Sequence, residues 1–105
     1  MKSSEVNKLI ASTVLGYEVT EHFIVREGRR SGIPTYNNNL AHAWKVVEKM
    51  KDDYGFNFEL SADSDHYLGY RCRFQLNEVN FSTTDEDPAS AICIAALQAI
   101  KELRK

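Results

Sequence analysis

The chain has 105 residues, 43% of them hydrophobic and 27% charged, with a net charge of −2. That is enough for one domain with its own core. The charge argues against a general polyanion binder, which needs clustered excess Lys and Arg. No apolar run approaches the roughly 20 residues that span a bilayer. The opening MKSSEVNKLI lacks a signal-peptide core, so the expected location is cytoplasmic. Cys72 and Cys93 are the only cysteines. Both sit in apolar patterns and read as reduced core thiols rather than a disulfide framework or a zinc site.

The first element is expected as a helix over Ser4–Leu15, capped by Ser3 or Ser4, with Val6, Leu9, Ile10, Thr13 and Val14 on one face. Gly16 is placed to stop it. Residues 17–25, YEVTEHFIV, mix alternation with β-branched side chains and read as extended, at the edge of a sheet. Residues 26–39, REGRRSGIPTYNNN, read as a loop. A second helix follows from Asn37 or Asn38, with Leu40, Ala43, Trp44, Val47 and Met50 as its buried stripe and Lys45, Glu48, Lys49 and Asp52 facing water.

Phe56, Phe58 and Leu60 alternate with Asn57 and Glu59, the pattern of a half-buried strand. After a polar turn SADSDH, a second strand carries Leu68, Tyr70, Cys72 and Phe74 on one face and Tyr67, Gly69, Arg71 and Arg73 on the other, and the two strands should form an antiparallel hairpin. Asn80–Thr84 adds a short third strand. The last helix starts with Asp87 as cap and Pro88 in its first turn, where the missing N–H costs nothing. From Ala91 to Ile100 only Gln98 is polar, so this helix is either a central core element or also the contact of a homodimer through Ile92, Ile94 and Leu97. The expected class is α+β: a short antiparallel sheet covered by helices, in the order α-β-α-β-β-(β)-α.

Candidate chemistry is sparse. His22, His42 and His66 show no i, i+4 pairing, and the turn Asp63-Ser64-Asp65-His66 lacks the glycine and distal glutamate of a calcium loop. No metal or cofactor is therefore expected. No serine lies in a nucleophile elbow, and neither cysteine has an activating partner in sequence. The expectation is a non-enzymatic protein. The stretch Arg26, Gly28, Arg29, Arg30, Ser31, Gly32 combines guanidinium forks with close-approach glycines, a composition suited to phosphate, although an exposed basic loop balanced by Glu21 and Glu27 has the same composition. If a ligand site exists, it is expected here, with Tyr36 and with Arg71 and Arg73 contributing charge. The order of elements is also that of a double-stranded RNA-binding module, but such a module meets phosphates with lysines where this chain reads TTDEDPA. Nucleic acid is an unlikely partner on that ground.

Two segments resemble the phage ABA-sandwich domain, a family of small proteins from phages and prophages of Gram-positive bacteria. The first is Tyr36-Asn-Asn-Asn-Leu-Ala-His-Ala-Trp-Lys-Val-Val-Glu-Lys-Met50 and the second is Asp87-Pro-Ala-Ser-Ala-Ile-Cys-Ile-Ala-Ala-Leu97. The matching residues are mostly core and cap positions, so the resemblance implies fold and phage origin and no activity. By analogy of class it suggests an accessory protein that acts by binding in the host cytoplasm, with a counter-defence factor that sequesters a nucleotide-like ligand as one version. That version expects a closed, arginine-lined pocket. The alternative, a module that inhibits or recruits a host protein, expects an exposed apolar patch.

Overall fold

The last helix organises the molecule, because it is buried around nearly its whole girth. The structure, a computed structural model, describes residues 3–62 and 69–105. The expected polar turn over 63–66, and Tyr67 and Leu68 of the expected second strand, lie outside the described residues. Among the described residues, three α-helices, α1 (Ser3–Leu9), α2 (Leu40–Asp52) and α3 (Pro88–Leu103), flank two three-stranded antiparallel sheets. One sheet has the order β1 (Glu18–Val19), β2 (Phe23–Arg26), β3 (Arg29–Gly32), and the other β4 (Asn57–Ala62), β5 (Tyr70–Leu76), β6 (Val79–Asp85). The α+β class is as the sequence indicated, with a second sheet added.

Asp87 caps α3 as expected: its carboxylate accepts from Ala89 N–H at 2.8 Å, and Pro88 follows in the first turn. Ala89, Ala91, Ala95, Ala96 and Ala99 are all fully buried. Their small side chains let α3 pack against β5 and β6, against α2 and against the first helix at once. Cys72 and Phe74 of β5 supply the facing wall, with Phe74 between Phe56 (6.2 Å) and Phe58 (5.4 Å). Burial pushes both thiols, Cys72 and Cys93, up to about 12.

Several expectations are corrected. The first helix does not run regularly to Leu15: α1 passes into a π-helical segment, Ile10–Val14, with Leu15 N–H donating to Ile10 C=O at 3.0 Å. The wider turn shifts the inward face. Ala11 is buried, and Leu9 is left exposed. In α2 the cap is Asn39, whose side chain accepts from His42 N–H at 3.2 Å. Asn37 instead donates its backbone N–H to the buried Asn7 side chain at 3.1 Å. The buried stripe of α2 is Ala43, Val46, Val47 and Met50, while Leu40 and Trp44 are each 46% exposed. The inward face is thus rotated from the one expected, toward Val46.

The segment 17–25 is two strands, β1 and β2, paired Glu18↔Val25 and Val19↔Ile24. The expected loop 26–39 contains β3, which closes a hairpin with β2 through Glu27 (φ 52) and Gly28 (φ 77). Two consecutive left-handed residues make the turn type whose twist suits a two-residue hairpin. All four residues of β3 are exposed.

Candidate functional site

The β2–β3 hairpin sets the geometry of the arginines. Its register pairs Arg26 with Arg29, Val25 with Arg30 and Ile24 with Ser31. Side chains alternate across a strand, so Arg26, Arg29 and Ser31 share the face of the buried Ile24, and Arg30 lies on the reverse face. Directly opposed like charges on one face destabilise a strand pair. Among the described residues, no carboxylate lies within ion-pair distance of Arg26, Arg29 or Arg30.

Arg26 is held flat. Its guanidinium carbon sits 4.7 Å from the centroid of the Tyr17 ring, a cation–π contact. Tyr36 stands beside this pair and is 2% exposed. Burial, reinforced by Tyr17, pushes its hydroxyl up to about 12 against the opposing pull of Arg26. Tyr36 therefore stays protonated at any physiological pH and keeps an O–H to donate. The register puts Arg26 and Arg29 opposite each other on one face, with Arg26 over the Tyr17 ring, while the expected contributor Tyr36 is buried in the core beneath them.

Other expected contributors are placed elsewhere. Arg71 and Arg73 belong to β5 in the second sheet, and Arg73 is engaged by Glu59 at 3.8 Å. Every residue of β3 is exposed, so among the described residues this segment forms no closed arginine-lined pocket. The site is an open face. Ile92 is fully buried in the core and is unavailable to a partner, whereas Ile94 and Leu97 are half-buried and Gln98 accepts from the Thr83 hydroxyl at 3.1 Å. His22 is exposed beside Glu21 at 3.9 Å, and the His42 ring stands 6.3 Å from that of Tyr36.

Two features escaped the sequence reading. Tyr17 as a seat for Arg26 had no signal beyond an aromatic near a strand start. The other is a groove of about 430 Å³ between α2 and β4, lined by Trp44, Val47, Phe56 and Phe58 and rimmed by Glu48 and Lys51. Trp44 meets Phe58 edge to face there, with centroids 5.6 Å apart.

These observations define a small α+β sandwich with a basic hairpin arm and no described helix long and apolar enough to cross a membrane. The model of the phage ABA sandwich domain matches residues 8–97, and the chain belongs to that family. It is similar to a phage protein from Bacillus cereus ATCC 14579 seen in a crystal structure: 34% identical, with a TM-score of 0.83 over 94% of this chain and 92% of that one. No protein of curated function matches the chain.

Proposed function

We propose that the protein is a non-enzymatic binding protein that takes up a small phosphate-bearing ligand on the Arg26–Arg29 face of its hairpin arm. The observation that carries this reading is the direct opposition of Arg26 and Arg29, with no carboxylate in ion-pair reach among the described residues. An anion seated between them turns a repulsive pair into two charge-assisted contacts. Tyr17 seats one of the two guanidinium forks. For a phage protein, such capture would serve to sequester a nucleotide-like signal, a counter-defence role in the host cytoplasm.

Calorimetric titration with nucleoside monophosphates, diphosphates and cyclic dinucleotides tests the proposal. Losing one charged hydrogen-bond partner costs about 1.5–3 kcal/mol, so Arg26→Ala and Arg29→Ala should each weaken binding roughly 10- to 150-fold. Arg71→Ala should leave it unchanged. Binding that ignores Arg29→Ala, or no binding by any phosphate-bearing compound, overturns the proposal.

A further inference from the structure

We infer, resting on phosphate capture by the hairpin arm, that the Arg26–Arg29 face selects a terminal phosphate monoester over the phosphodiesters of cyclic dinucleotides. Arg26 and Arg29 flank the turn Glu27–Gly28 as a directly opposed pair. Residues paired in this way carry their Cβ atoms roughly 4.5–5.5 Å apart on one face of the sheet. The Arg26 guanidinium is seated over the Tyr17 ring, 4.7 Å from its centroid, so one fork has a defined place. Arg29 stands next to it on the same face. Both forks thus lie within reach of a single phosphoryl group.

Charge sets the class of that group. Arginine stays protonated throughout the physiological range, so the pair presents two positive charges. Among the described residues neither has a carboxylate within ion-pair distance, Glu27 of the intervening turn included. Arg30 does not join them, because it lies on the reverse face. A diester brings one negative charge and two free oxygens, which leaves one guanidinium unmatched. A monoester brings about 1.5 to 2 negative charges near pH 7 and three acceptor oxygens. Two forks can then each grip a pair of oxygens and share the third, so both arginines bond bidentately. Charge and acceptor count point to the same ligand. Both arginines are exposed, so solvent and salt temper the preference without reversing it.

Calorimetric titration, with ligand-observed NMR for the weaker complexes, tests the inference at one pH above the second ionisation of phosphate, which falls near about 6. The ligands are the common nucleoside monophosphates, the methyl esters of their phosphates, and cyclic dinucleotides. Methylation removes one charge and one free oxygen and leaves base and sugar as they were. The best monophosphate should bind about 10-fold tighter than its methyl ester, the loss expected for one charge-assisted contact. Arg29→Ala, at an exposed position, should cost the monophosphate more affinity than it costs the ester. A methyl ester or a cyclic dinucleotide that binds as tightly as the best monophosphate overturns the selection of monoesters and leaves phosphate capture standing. Equal losses for monophosphate and ester in Arg29→Ala also overturn it, since the second charge would then be read elsewhere. No binding by any of these compounds overturns both.

Discussion

Gly69→Ala should be among the most damaging single-methyl additions available to this fold. Gly69 has φ +88, and a Cβ there would stand 2.6 Å from the carbonyl oxygen of Asp85 and 2.7 Å from Cα of Glu86. Both are backbone atoms at a junction with little freedom. Asp85 ends β6 opposite Tyr70, and its carboxylate accepts from Asp87 N–H at 2.9 Å and from the Ser90 hydroxyl at 3.2 Å. Relieving the clash therefore displaces the end of the β5–β6 ladder or the start of α3. The left-handed backbone costs an alanine about 1 kcal/mol and the overpacking about 2 kcal/mol, roughly 3 kcal/mol together. At about 4–8 °C per kcal/mol, the thermal midpoint should fall by roughly 12–24 °C. Gly28→Ala is the matched control, with φ +77 but nothing within 4 Å of the added carbon. It should show only the backbone cost, about 1 kcal/mol. Urea unfolding of both variants at one temperature separates the two contributions. Equal losses for Gly69→Ala and Gly28→Ala would refute the clash argument.

Other outcomes follow from the core. Phe74→Ala empties the fully buried position between Phe56 and Phe58 and should cost about 3–5 kcal/mol in denaturant unfolding. The thiols of Cys72 and Cys93 should resist alkylation in the native protein and react once it is unfolded, since burial raises both to about 12. Raised folded-state values favour the neutral thiol, so their stabilisation is complete below about pH 9, where unfolded thiols begin to ionise. It is lost as pH climbs from there toward 12, with Tyr36 adding to the same alkaline decline from about pH 10. A thermal midpoint that holds steady between pH 9 and 12 would contradict this.

The elements that the sequence disclosed are those whose burial is periodic or whose ends carry capping residues. Asp87 and Pro88 mark the start of α3, its run of alanines marks its burial, and Phe58, Cys72 and Phe74 mark the inner face of the second sheet. The arm was hidden because β3 buries none of its residues. Arg29, Arg30, Ser31 and Gly32 show no alternation of polarity, and the turn Glu27–Gly28 lacks the Asn-Gly signature that would have announced a hairpin. Arginine chemistry was legible from composition, but which arginines meet was not. Pairing register opposes Arg26 to Arg29 and assigns Arg71 and Arg73 to the other sheet. In α2 Ala43, Val47 and Met50 face the core as their spacing indicates, whereas Leu40 and Trp44 face outward and Val46 turns in, because hydrophobicity alone does not separate an outward tryptophan from a core one. The π-helical segment after Leu9 had no sequence signal at all; its residues would suit a regular helix equally well.

The arginine face is tested most directly by a native mass spectrum of the protein purified without denaturation from phage-infected or expressing cells, recorded beside its Arg29→Ala variant. The account predicts an added mass in the nucleotide range on the unaltered chain and its loss from the variant. A chain that carries no added mass after exposure to cell metabolites, or a variant that keeps it, would contradict ligand capture at Arg26 and Arg29.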